Sequence, residues 1–122
     1  MIKISIETKE LKEIESLSSN RLNALFTQEE LSRSKNITLA GKLAAKTAFL
    51  RNAGLKRYSG YYKKVEVGKT FSGRPFLKIL DTPLSEKISG FKTSVSISHT
   101  KETAIAVCII YNESGLQDFP IL

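Results

Sequence analysis

Sixteen consecutive residues, Leu39 to Gly54 (LAGKLAAKTAFLRNAG), set the strongest limit on what this chain can fold into. They are rich in alanine and leucine, contain no proline and end in glycine, which predicts a helix with a glycine stop. At about 100° per residue the side chains do not divide into one wet and one dry face. Lys42 and Lys46 form one polar stripe; Thr47 and Arg51 form a second, roughly opposite. Leu39, Leu43 and Leu50 fill one gap between the stripes, and Ala44, Ala45, Ala48 and Phe49 fill the other. A helix apolar on two flanks is held between other elements. Its polar stripes are then either both solvent edges, or one is wet and the other faces a ligand.

The rest of the chain supplies the elements that embed it. Residues 2–6 (IKISI) alternate and predict a short strand, followed by Glu7. Leu11, Ile14 and Leu17 have helical spacing and predict a short helix over 9–17, with Asn20 as a cap for a further turn, RLNALF. Thr27 and Glu30 have capping-box spacing, with Phe26 and Leu31 at the staple positions of a short helix, QEELSRSK. Thr38 is the expected cap of the central helix. Beyond Gly54 come a basic, tyrosine-rich stretch, a strand from Val65, a Ser-Gly-Arg-Pro hairpin signal and a return strand over Phe76–Leu80. Thr82-Pro83 opens a short helix that ends at Gly90. Strands follow over 93–98 and 103–111, joined by a turn at His99–Glu102. One strand, then helices, then antiparallel pairs is an α+β pattern, with an antiparallel sheet packed around a central helix.

The length of 122 residues suits one domain over 1–122, with 112–122 as a C-terminal tail whose Phe119, Ile121 and Leu122 are free to pack on the sheet or on a neighbouring subunit. A single cysteine, Cys108, excludes an internal disulfide and sits in an apolar run where a buried inert thiol is the default. No apolar run is long enough to span a bilayer and the N-terminus lacks a signal peptide's apolar core, so the expected location is the cytoplasm, away from membranes. A net charge of +7 favours an anionic partner: a phosphorylated small molecule, an acidic protein or nucleic acid.

Three separated segments, LAGKLAAKTAFLRNAG, VEVGKTFSGRPFLKI and VSISHTKETAIAVCII, resemble in order and spacing the holo-acyl-carrier-protein synthases, the short 4'-phosphopantetheinyl transferases. The resemblance runs over residues 2–111. Phe26-Thr27-x-x-Glu30 fits that family's second segment and Gly73-Arg74-Pro75 its hairpin. It implies the phosphopantetheinyl transferase fold and a homotrimer with active sites between neighbouring subunits. The implied activity is magnesium-dependent transfer of 4'-phosphopantetheine from coenzyme A to a serine of an apo acyl carrier protein, a step of fatty acid biosynthesis.

The same resemblance implies roles residue by residue. Glu7 stands where the family has a magnesium-binding aspartate, and Thr47 where it has the second metal-binding glutamate. Threonine keeps a ligating oxygen but brings no charge and no base at neutral pH. Arg51 stands for a lysine on the phosphates and Lys42 for an arginine; Arg51 and Lys46 are the implied catalytic cations. Gly54 would close its backbone on the ligand, although Leu55-Lys56 replaces the threonine–glycine that follows in the family. His99 would donate to a coenzyme A phosphate, flanked by Ser98 and Thr100, while Arg74 and Pro75 border the adenine and ribose. Glu13 stands where the family grips its acidic carrier with an arginine; Lys12 and Arg21 lie nearby. Two other readings compete. One is an impaired relative that binds coenzyme A or a related nucleotide without transfer. The other, ranked lower, is a nucleic-acid binder using the basic and tyrosine-rich Arg51–Lys64 stretch.

Overall fold

In a computed structural model the described residues are 2–55 and 58–112, so the expected tail beyond Asn112, with Lys56 and Arg57, lies outside them. The chain runs β1 (Ile2–Glu10), α1 (Leu11–Glu15), α2 (Ser19–Leu25), α3 (Gln28–Arg33), α4 (Asn36–Asn52), β2 (Val65–Lys69), β3 (Pro75–Ile79), α5 (Thr82–Lys87), β4 (Lys92–His99) and β5 (Thr103–Tyr111). A 3-10 turn at Tyr62–Lys64 precedes β2. The strands form two antiparallel sheets, β1-β5-β4 and the hairpin β2-β3, and α4 is clasped between them.

The central helix is buried further round than its two polar stripes suggest. Every residue from Leu39 to Leu50 is buried, Lys42, Lys46 and Thr47 included. Of the four stripe residues only Arg51 is exposed, so the reading in which both stripes are solvent edges is overturned. Small side chains let the layers approach. Ala44 and Ala45 meet Ala106 on one side and Val67 on the other. At Gly41 a Cβ would lie 2.7 Å from the Ile97 methyl, so only glycine lets α4 sit this close to β4. Larger residues close the ends: Phe49 and Leu50 join Val65, Leu84 and Ile110, while Leu39 and Leu43 join Ile14 and Phe26.

The boundaries differ from expectation where tertiary contacts decide them. β1 continues to Glu10 instead of stopping at Ile6, because β5 pairs with it along its whole length, Glu10 opposite Thr103. The first helix therefore starts only at Leu11. α2 is capped by Ser18, not Asn20; the Arg21 amide donates to the Ser18 hydroxyl. The Thr27–Glu30 capping box forms as expected. α4 begins two residues before Thr38, at Asn36, behind a Lys35 cap that makes no side-chain bond. α5 is capped by Asp81, with Pro83 in its first turn. Gly54 and Gly90 follow helices with φ of +77° and +88°, the left-handed turn that glycine adopts freely.

Candidate functional site

Lys42 and Arg51 are nine positions apart, so they lie on opposite sides of α4 and about 14 Å apart along it. The sequence-derived site residues accordingly fall into two groups.

The first group lies near the start of α4. The helix, the β2-β3 hairpin and the end of β4 enclose a cleft of about 190 Å³ lined by Thr38, Lys42, Lys69, Gly73, Pro75 and His99. It runs into a wider groove of about 680 Å³ that adds Arg33 and Lys78 and the carboxylates of Glu29 and Glu66. Lys42 donates to the Ser34 hydroxyl at 2.8 Å. Burial lowers its pKa below the usual lysine value of 10.5, and Glu30 partly restores it. A buried ammonium at a cleft mouth gains most from an anion. His99 Nδ1 donates to the Thr100 carbonyl at 2.9 Å, since a carbonyl only accepts; this leaves Nε2 for a ligand. The Thr100 hydroxyl is spent on the turn, accepting from the Glu102 and Thr103 amides. Ser98 pairs with Ile105 and, by strand alternation, faces away from the cleft that Ile97 and His99 line. Arg74 does not line this cleft but an adjoining groove with Pro75, Thr93 and Ile97. Lys42, Pro75 and His99 are thus brought together; Ser98 and Arg74 are not among them.

The second group lies at the far end of α4. Asn52 fastens that end to the sheet: Ser5 Oγ donates to its Oδ1 at 2.5 Å, and its Nδ2 donates to the Cys108 carbonyl at 2.8 Å. This sets Arg51 over β1, with Nη2 at 2.5 Å from Glu7 Oε1. The contact is ionic without hydrogen-bond alignment, and Oε1, though buried, makes no hydrogen bond. Thr47 Oγ1 donates to the Leu43 carbonyl at 2.8 Å and lies 3.1 Å from the Tyr62 phenol. One hydroxyl has one proton, so Tyr62 donates to Thr47. Burial raises the Tyr62 pKa, partly offset by the Thr47 bond, and the nearby Glu7 charge adds to the rise. Tyr62 therefore belongs to this group with Glu7, Thr47 and Arg51. In the sequence Tyr62 stands only in a basic, aromatic run; the signal is that this run must bring the chain back across α4 to β2. Tyr58, Tyr61 and Tyr62 pack against the core, which removes them as an open stacking platform for nucleic acid.

Between the groups lies a buried junction. Lys46 is fully enclosed, its ammonium 2.5 Å from Glu30 Oε1 and donating to the carbonyls of Leu25 and Tyr62 at 2.9 and 3.0 Å. Glu30 also accepts from the Thr27 and Val67 amides. Burial lowers the Lys46 pKa and Glu30 opposes the shift. Lys46 was expected as a catalytic cation; the geometry instead commits all three of its protons within the fold and ties α3, β2 and the Tyr62 turn to α4.

The second group also fails to fit a magnesium ion held by Glu7 and Thr47. Its one carboxylate already faces a guanidinium, and its hydroxyl donates to Leu43 while accepting from Tyr62. Among the described residues no cluster of three or more His, Cys, Asp or Glu is arranged to hold a metal. A hard cation of this kind takes carboxylate, phosphate and water oxygens and tolerates no adjacent fixed cation well.

Two sheets clasping a buried helix, with a basic cleft at one end and an acid–guanidinium pair at the other, define an α+β protein of the 4'-phosphopantetheinyl transferase fold. The solved Chronobacterium ammoniagenes ACPS–CoA complex matches at TM-score 0.78 and 21% identity, over 93% of this chain and 98% of that one. A Bacillus anthracis holo-(acyl-carrier-protein) synthase in complex with CoA (3',5'-ADP) matches at TM-score 0.72 and 27% identity, over 90% and 96%. The holo-[acyl-carrier-protein] synthase of Hydrogenobaculum sp. is 34% identical over 112 residues, covering 86% of this chain and 89% of that protein. A scan against models of known protein families returns no match. The chain belongs to the holo-acyl-carrier-protein synthase family.

Proposed function

We propose that this protein transfers 4'-phosphopantetheine from coenzyme A to a serine of an acyl carrier protein. The observation that carries the reading is the convergence of Lys42, Lys69 and His99 on one cleft walled by Pro75, in a chain of this family. Lys42 and His99 hold the phosphates of the 3',5'-ADP portion, and Pro75 borders its adenine. His99 donates through Nε2, which requires the doubly protonated ring because Nδ1 is spent on Thr100. Arg51 faces the diphosphate, with the Gly54 turn beside it. The serine oxygen forms a bond to the pantetheine-bearing phosphorus, the phosphorus–oxygen bond to 3',5'-ADP breaks, and the serine proton passes to the Glu7 carboxylate. Positioning and charge supply most of such a catalytic effect. No step is assigned to the magnesium that the family resemblance implies, because Glu7 and Thr47 do not form a site for it. Lys46 positions Tyr62 and the helix and touches no substrate.

The two groups face opposite sides of α4, so one coenzyme joins the first group of one copy to the second group of another. A homotrimer provides this arrangement. The outer face of β1-β5-β4 favours it: Ile2, Ile4 and Ile6 are 64%, 60% and 55% exposed, and their β5 neighbours Val107 and Ile109 share that face. An open apolar sheet of this kind marks an interface. Among the described residues no helix is long and apolar enough to cross a membrane, and the proposed location remains the cytoplasm.

The test is intact-mass analysis of an apo acyl carrier protein incubated with this protein and coenzyme A. A gain of one phosphopantetheine is the expected result. Binding of coenzyme A with no mass gain on any carrier favours instead a relative that binds without transfer, a reading that Thr47 in the glutamate position supports.

A further inference from the structure

We propose that Arg51 takes the place of a divalent cation beside Glu7, so that coenzyme A binds to this protein without metal. The inference rests on the coenzyme A reading above and specifies how its diphosphate is held.

Four observations converge. The Arg51 side chain is half exposed, and one nitrogen reaches Glu7 while the others are open to a ligand. Glu7 is mostly buried and its Oε1 takes no hydrogen bond, so the guanidinium is the group that balances its charge. Thr47 has given its proton to Leu43, and the lone pair facing Tyr62 is occupied by the phenol. Tyr62 is in turn held by the bond from Lys46 to its carbonyl and by the edge of the Tyr58 ring, centroids 6.5 Å apart. A cation seated between Glu7 and Thr47 would displace Tyr62 and lie against a fixed positive charge. An arginine meets none of these costs. It is always charged, and its planar fork matches two phosphate oxygens. Glu7 and Arg51 then act as one unit: the carboxylate orients the guanidinium, and the guanidinium neutralises the diphosphate.

Calorimetric titration with coenzyme A, once in EDTA and once in millimolar magnesium, tests the proposal. The expected dissociation constants agree within about twofold. Binding at least about tenfold weaker in EDTA overturns the proposal and leaves the coenzyme A reading standing. No binding in either buffer overturns both. Electron paramagnetic resonance with manganese as the probe gives a readout independent of turnover. The wild-type protein is expected to leave manganese free. The double variant Thr47→Glu/Arg51→Lys is expected to bind it and to bind coenzyme A more tightly with magnesium; wild-type binding of manganese equal to the variant's overturns the proposal. Glu7→Gln covers the case in which the double variant misfolds. A metal ligand would lose coenzyme A affinity in magnesium on this change. An orienting carboxylate changes affinity by the same factor in EDTA and in magnesium, which is the expected result; a loss confined to magnesium overturns the proposal.

Discussion

Lys42 shows how one side chain couples its surroundings to binding. Burial lowers its pKa from 10.5, and the ammonium form is the one that binds phosphate. The Lys42 contribution to coenzyme A affinity is therefore full below the Lys42 pKa and falls as pH rises through it, earlier than an exposed lysine would allow. Lys42→Arg keeps its charge throughout this range, so titrations from pH 7 upward should show an alkaline decline in wild type and a flatter profile in the variant. Lys42, Pro75 and His99 were legible in the sequence because they sit in motifs whose spacing survives. Thr47 was legible only as a departure. What the sequence did not carry was the partner of each: that Lys46 meets Glu30 rather than a phosphate, that Ser98 turns outward, and that Tyr62 covers Thr47. Each depends on contacts between residues 15 or more positions apart, or on the phase of a strand whose start was not fixed.

At the scale of elements, the Lys46–Glu30 pair is the joint most exposed to mutation. Lys46→Ala strands a fully buried carboxylate and frees two carbonyls, so a loss of about 3–5 kcal/mol is expected in denaturant unfolding. Lys46→Met with Glu30→Gln removes both charges and should recover part of it. If Lys46 only positions its neighbours, the pair variant also keeps coenzyme A binding, whereas a phosphate-binding cation would lose it. The elements were the most readable level. β5 starts and stops where its apolar run does, and the Thr27–Glu30 box caps α3 as its spacing implies. The polar end of β1 was hidden because Lys9 and Glu10 read as the start of the following helix until β5 lies beside them. Likewise Lys35, a poor cap by type, precedes α4 because nothing in Asn36-Ile37-Thr38 stops the helix from growing backward into the cleft wall.

The whole molecule turns on its uncovered sheet face. Ile4 is 60% exposed, so Ile4→Lys should leave the stability of an isolated copy within about 0.5 kcal/mol while adding three charges to a three-fold interface. Light scattering should then report a monomer in place of the proposed wild-type trimer, and coenzyme A binding should fall with assembly; a monomeric wild-type protein that binds coenzyme A fully would remove the trimer from the proposal. The opposed placement of Lys42 and Arg51 on one helix also has a genetic reading. A chain carrying His99→Ala keeps the Arg51 side of every junction it enters, and a chain carrying Arg51→Ala keeps the His99 side. Each alone should be inert. Co-expressed and randomly mixed, they should restore about a quarter of the intact junctions, so that two defective alleles rescue each other in one cell.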